Sequence, residues 1–396
     1  MKLRFVAGNQ IDLLNSGGEY FPALFIALES ARQEIYLESY IFAQDATANA
    51  VVDRLCGAAR RGVRVHVLVD GFGSRDMSAD YRWRLQDNGV LVSEFRRPAI
   101  TRPVRGMRRM HRKLVVIDAA CAATESAGSA CAFVGGINVI DDWNAPNEIP
   151  PRYDYAVRVR GPLVAQIHAA ASHLWAVSAI SGMRARVRAR VRVLPGPPRG
   201  SAVAALAIRD NVLHRTEIED AYISAIRNAH SSILVASGYF LPSRQFVAAL
   251  RAAALRGVTV TIVMQGPSDH PLLKAATQSL YRLLLGAGIG LVEYGKSFLH
   301  AKVAVIDDRW ATVGSSNIDP FSLLLSREAN VVVMDAPFAL QLRESLEAAI
   351  LEGGSRVSLA DLTHLPWYVR LVQWFAYRLA RVSVDIVTPN GGRTLA

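Results

Sequence analysis

An α/β fold built from two similar halves is expected of this chain on three observations. Helix-patterned and strand-patterned runs alternate, the alternation is passed through twice, and a segment rich in Pro and Gly separates the passes. With 396 residues the chain exceeds what one hydrophobic core usually organises, so two domains are the natural division.

The first pass opens with the helical run "FPALFIALESARQ" and the strand-like "EIYLESYIF" beginning at Glu34. "RRGVRVHVLVDG", Arg60 to Gly71, then reads as a helix end, a Gly cap and an apolar strand. Gly161 to Met183 carries no Lys, Arg, Asp or Glu and is long enough to span a bilayer. Gln166, His168, Ser172, His173, Ser178 and Ser181 argue instead for an amphipathic helix. Its buried stripe would be Val164, Ile167, Ala171, Leu174, Trp175 and Ser178. Next, Arg184, Arg186, Arg188, Arg190 and Arg192 alternate with apolar residues, which suits a strand with one basic face, either a charged edge or an anion-facing surface.

"VRVLPGPPRGS" follows as a linker. The second pass repeats the first: "EIEDAYISAIRNAH" is helical, "SILVASGYF" from Ser232 is strand-like, and "LRGVTVTIVMQG", Leu255 to Gly266, matches the earlier Gly-capped unit. The expected organisation is a first domain at 1–194, a linker at 195–201, a second domain at 202–362, and a C-terminal amphipathic helix and tail at 363–396. In that helix Trp367, Leu371, Trp374, Phe375, Arg378 and Leu379 lie on one side, with Arg370, Gln373, Tyr377 and Arg381 on the other. Such a face suits either a lipid interface or packing onto the domain.

A content of 51% hydrophobic and 20% charged residues describes a globular protein and excludes a disordered one. The net charge of +11 points to anionic partners, nucleic acid or an acidic membrane surface. Cys56, Cys121 and Cys131 form no CxxC pair, so reduced thiols are expected rather than a zinc site or a disulfide scaffold. Asn9, Gln10 and Asp12 interrupt any signal-peptide apolar core at the N-terminus.

Chemistry concentrates in "MHRKLVVID", Met110 to Asp118, and "LHAKVAVIDD", Leu299 to Asp308. Residues two apart on a strand share a face, so His111 and Lys113 point the same way, as do His300 and Lys302. Asp118 and Asp307 fall on the opposite parity at the strand ends. Burying an ammonium is costly unless an anion meets it, and two such sites placed alike imply an anionic ligand. After each strand comes a small-residue turn with an asparagine, "FVGGIN" to Asn138 and "TVGSSN" to Asn317, where backbone can approach a ligand and an amide can donate to an anionic oxygen. Asp154 and Glu328 each stand at the start of another strand and are candidates to orient an imidazole.

The duplicated His-x-Lys-x-x-x-x-Asp followed by Gly-Gly/Ser-x-Asn resembles the phospholipase D superfamily with its HKD motif. "NSGGEYFPALFIALESARQEIYLESYIF" and "HAKVAVIDDRWATVGSSNIDPFSLLLSREANVVV" look most like bacterial cardiolipin synthases of the shorter kind, without N-terminal membrane spans. The resemblance implies two phospholipase D-like α/β domains packed as a pseudo-twofold pair around one interfacial active site. It makes His111, Lys113, Asp118, His300, Lys302 and Asp307 catalytic, with His111 as nucleophile and His300 as general acid and base. Asn138, Asn317 and Ser315 would bind substrate, and Asp154 and Glu328 would orient the histidines. It implies phosphatidylglycerol as donor and acceptor, a covalent phosphohistidine, release of glycerol, and a peripheral place on the cytoplasmic face of the bacterial membrane, with nucleic acid disfavoured. A hydrolase or a nuclease of the same superfamily is the alternative. Neither a cofactor nor a metal is expected, since no ligand cluster has metal-binding spacing. Two departures stand out. The turn "AACAATESAGSACA" lengthens the first half, and Gly136 replaces the counterpart of Ser315.

Overall fold

The computed structural model describes residues 3–95, 109–119, 129–145, 148–180, 193–210, 214–267, 270–319, 326–363 and 366–387. The arginine-bearing run 184–192, most of the basic loop before His111, the core of the lengthened turn and Cys121 lie outside these residues.

In the first half, strands β1 (Val6–Asn15), β2 (Glu34–Ser39), β3 (Arg64–Asp70), β4 (Leu91–Phe95), β5 (Leu114–Ile117), β6 (Cys131–Gly135), β7 (Arg152–Tyr153) and β8 (Tyr155–Arg160) accompany helices α1 (Ser16–Ser30), α2 (Ala46–Arg60), α3 (Ala79–Asp87) and α4 (Leu163–Ile180). The second half supplies β9 (Ala202–Arg209), β10 (Ser232–Ser237), β11 (Thr259–Gln265), β12 (Gly290–Tyr294), β13 (Phe298–Leu299), β14 (Lys302–Ile306), β15 (Trp310–Gly314), β16 (Glu328–Met334) and β17 (Gly354–Val357). Its helices are α5 (Glu217–Arg227), α6 (Arg244–Leu255), α7 (Pro271–Gln278), α8 (Tyr281–Leu285), α9 (Ala336–Gly353), α10 (Leu359–Thr363) and α11 (Trp367–Val387).

Local chemistry accounts for the main boundaries. Asp45, Ser78, Ser243 and Asp335 accept backbone N–H bonds as N-caps of α2, α3, α6 and α9. Gly62 and Gly257 sit at the same point of the two halves with φ of 88°, where a Cβ would be strained, and turn the helix into the following strand.

One sheet runs through both halves in the order β4-β3-β2-β5-β6-β8-β1, then β9-β16-β15-β14-β10-β11-β12-β17. The strand order on one side of the β1–β9 seam is the pseudo-twofold image of the other, with β17 added. Each half packs its own core, one under α1, α2 and α3 and one under α5 and α6. A third core crosses the seam and joins Leu163 and Ile167 of α4 to Leu342 and Leu346 of α9. The halves are therefore continuous in sheet and core. Val164, Ile167, Ala171, Leu174 and Ser178 are buried along α4 and Trp175 is half-buried, so five of the six stripe residues read from sequence are enclosed.

Candidate active site

Each motif histidine is delivered by an extended segment that crosses to the opposite half. His111 N–H donates to the Arg327 carbonyl at 2.9 Å, and His300 N–H donates to the Tyr153 carbonyl at 2.9 Å, continuing the parallel β7–β13 pair. Arg327 and Tyr153 immediately precede Glu328 and Asp154, so these backbone bonds carry each acid onto the imidazole of the other half. His111 Nδ1 lies 3.0 and 3.2 Å from the Glu328 carboxylate oxygens, and His300 Nδ1 lies 2.6 Å from Asp154 Oδ2. With both Nδ1 atoms anchored, Nε2 is the nitrogen each ring has left for chemistry.

Both lysines are buried as well. Lys113 Nζ donates to its own strand's His111 carbonyl at 2.8 Å, and Lys302 Nζ does the same to the His300 carbonyl while standing 3.9 Å from Asp154. Burial lowers Lys113 to about 7 and Lys302 to about 8, despite the attraction of neighbouring carboxylates. Burial raises Asp154 to about 6 and lowers His111. His300 is driven well below its ordinary value by burial, then by Lys302, Lys113, His111 and Arg152. A site so short of counter-charge is prepared for an anion, whose arrival would favour the protonated forms of all four cationic groups.

Arg112, between the two site residues, points to the other face and makes a buried bidentate pair with Glu38 at 2.7 and 2.6 Å. Asn138 and Asn317 both line the cavity. The Asn138 Oδ1 accepts from Ile41 N–H at 3.0 Å.

Three expected site residues have other work. Ser315 is fully buried and does not reach the cavity; its hydroxyl donates to Glu328 Oε2 at 2.5 Å and accepts from Ala329 N–H at 3.0 Å. It therefore positions the acid rather than binding substrate. At the matching place in the first half a Cβ on Gly136 would overlap the Asp154 carboxylate, so the shorter acid requires a glycine there.

Asp118 and Asp307 stand at the far ends of their strands, away from the histidines. Asp118 accepts from the N–H groups of Arg32, Gln33 and Glu34 at 2.9, 2.7 and 3.1 Å; Asp307 accepts from His230, Ser231 and Ser232 at 2.8, 2.8 and 3.0 Å. Both hold left-handed turns, with φ of 51° and 52°. Their opposite parity already pointed them away from the His and Lys face. Asp118→Ala is accordingly expected to cost about 3 kcal/mol of stability while leaving the turnover of folded protein nearly intact; thermal melts alongside activity per folded molecule check this.

The histidines open on a cavity of about 630 Å³. Beyond the motif residues its wall includes Tyr40, Arg152, Phe298, Leu272 and Leu273, and from α11 Ala376 and Leu379. Tyr40 packs edge-on against His111 with centroids 4.8 Å apart, and Phe298 lies 5.6 Å from His300. Of these wall residues, sequence reading singled out only Leu379, and that as part of the amphipathic helix. Tyr40 directly follows β2, and Arg152 lies two residues before an expected acid, but neither carries a signal of its own.

Residues 24–175 and 222–350 match the family described as cardiolipin synthase, PLD-like domain. The chain is 36% identical over 387 residues to cardiolipin synthase B of Salmonella typhimurium, covering 93% of this chain and 87% of that protein. It is 37% identical over 374 residues to cardiolipin synthase B of Escherichia coli strain K12, with the same coverage. To cardiolipin synthase A of Pseudomonas putida it is 32% identical over 388 residues, covering 96% and 76%. Among solved structures, phosphatidylserine synthase of Haemophilus influenzae superposes with a TM-score of 0.67 at 15% identity, covering 98% of this chain and 96% of that one, a likeness of fold. Two crossed histidines on one cavity, a fold that a phospholipid synthase shares, and identity along nearly the whole length place the chain in the phospholipase D-like family of cardiolipin synthases.

Proposed function

We propose that this protein makes cardiolipin by transferring a phosphatidyl group from one phosphatidylglycerol to another. The observation that carries the reading is the pair of Nδ1-anchored imidazoles from opposite halves facing one cavity with two buried lysines. Lys113, Lys302, Asn138 and Asn317 would take the non-bridging oxygens of the phosphodiester and stabilise the charge that builds there. Neutral His111 attacks phosphorus through Nε2, the bond to the glycerol oxygen breaks, and protonated His300 gives that oxygen its proton. His300 then accepts the proton of the incoming hydroxyl, whose oxygen displaces His111 and restores both rings. Burial and then the lysine charges oppose imidazolium on His300; the 2.6 Å contact to Asp154 favours it, and the bound phosphate offsets the lysine charges.

Incubation with labelled phosphatidylglycerol tests the reading. Cardiolipin and free glycerol are expected in equal amounts; cleavage of nucleic acid without lipid turnover would overturn it. In the free enzyme Asp154 must be ionised and the lysines protonated. kcat/KM is therefore expected to fall below about pH 6, as Asp154 takes up a proton, and above about pH 7 to 8, as Lys113 and Lys302 lose theirs. A flat profile from pH 5 to 9 would contradict this.

The same reading makes α11 the membrane contact. Among the described residues no helix is long and apolar enough to cross a membrane. Helix α11 packs on α7 yet turns Gln373 and Ala376 inward, while Trp367, Trp374 and Phe375 stand 75%, 56% and 61% exposed. A helix that shows its aromatic side to solvent beside the cavity it lines is built to enter an interface. The double variant Trp374→Glu, Phe375→Glu is expected to weaken binding to phosphatidylglycerol vesicles by about 100-fold in co-sedimentation.

A further inference from the structure

A second hollow of about 370 Å³ adjoins the catalytic cavity and shares Tyr40, Ile41, Glu148 and Arg152 with it. Its outer wall comes from the loop after β3: Phe72, Gly73, Arg75 and Asp76. Arg75 is held 5.2 Å from the Phe72 ring and meets Asp76 at 3.5 Å in a solvent-exposed pair, a contact weak enough for a stronger anion to displace. Arg152 is fixed by the carbonyls of Asp141 and Asn144, with Glu148 3.8 Å away. Two guanidinium and two carboxylate groups thus line the hollow, which suits a phosphodiester that carries a polyol.

The pseudo-twofold partner of this loop has a different character. The segment after β11 runs into α7, whose Leu272 and Leu273 join Ala376 and Leu379 as an apolar wall of the main cavity. One side of the site is therefore built for hydrocarbon and the other for a headgroup. In a double displacement the acceptor must enter opposite the nucleophile, on the side of His300. Phe298 and then Arg152, whose guanidinium lies 5.8 Å from the Phe298 ring, line the way from His300 to the annex.

We propose that this annex binds the headgroup of the acceptor lipid, a glycerol phosphodiester, with Arg75 on its phosphate and Glu148 on its glycerol hydroxyls, so that one hydroxyl reaches His300. The inference rests on the transferase reading above. It makes the annex the determinant of lipid against small-molecule acceptors.

The test gives the full-length protein two acceptors at once: mixed micelles of tail-labelled phosphatidylglycerol, and ethanol, which is too small to use the annex. Arg75→Glu is expected to lower the ratio of cardiolipin to phosphatidylethanol about tenfold, Phe72→Ala to lower it several-fold, and Arg75→Lys to restore most of it. An unchanged ratio, or an equal fall in both products in Arg75→Glu and Phe72→Ala alike, overturns the annex. Wild-type protein that forms no cardiolipin at all overturns the transferase reading instead, and the annex with it.

Discussion

Replacing His111 by alanine is expected to lower cardiolipin formation by at least about 10⁴-fold, measured as labelled product per folded enzyme. On the proposed mechanism the His111 ring supplies the atom that bonds to phosphorus, and His300 on the same cavity is committed to the proton transfers and cannot replace it. Lys113 lies close by, but its Nζ donates to the His111 carbonyl. The loss should not come from unfolding. Glu328, which would be left without its imidazole, keeps the Ser315 hydroxyl at 2.5 Å, and the backbone bond from residue 111 to Arg327 does not involve the side chain. A variant retaining a hundredth of the activity would remove His111 from the chemistry.

The second large effect concerns the exchanged acids. Asp154→Asn is expected to reduce kcat by about 10²- to 10³-fold, and the effect belongs to His300 of the other half. An amide can accept from Nδ1–H but does not stabilise the imidazolium as a carboxylate does, so on the proposed mechanism the proton for the departing glycerol would be lost. The pH profile separates this from simple damage. Burial pushes the Asp154 carboxyl up to about 6, so wild-type activity is expected to fall as the pH drops through that value. In the asparagine variant that acid limb should vanish while the alkaline limb from Lys113 and Lys302 remains. An acid limb that survives the substitution would show that another group produces it.

Part of the site's layout was legible because extended backbone alternates its side chains: His111 and Lys113 lie in the extended stretch that leads into β5, His300 just before β14, and Asn138 and Asn317 of the repeated turn line the cavity. Which acid serves which histidine could not be read. That depends on the register between the halves, set by β7 against β13 and by Met110 against Arg327, pairs with no local sequence signature.

Motif membership also misled. Asp118 and Asp307 belong to the repeated pattern, yet the strand carries them to the end where turns need a carboxylate on backbone amides. Ser315 has a hydroxyl in the right turn but on the side of Glu328. In α11 the polar Gln373 faces inward and the aromatic side faces out, opposite to the direction that helical periodicity favours in a globular core. The fold was easier to recover: duplicated units with the same Gly-capped helix ends leave few arrangements for two halves of equal pattern.

The most direct measurement uses His300→Ala with a phosphodiester bearing a p-nitrophenyl leaving group, which departs without a proton from an acid. If two imidazoles act in turn on one phosphorus, p-nitrophenolate should appear in a burst of about one equivalent per site and then stop, for want of a base to activate the acceptor. Peptide mapping of the neutral-quenched protein should find the phosphorus on His111. Steady release without a burst, or the same burst from His111→Ala, would contradict it.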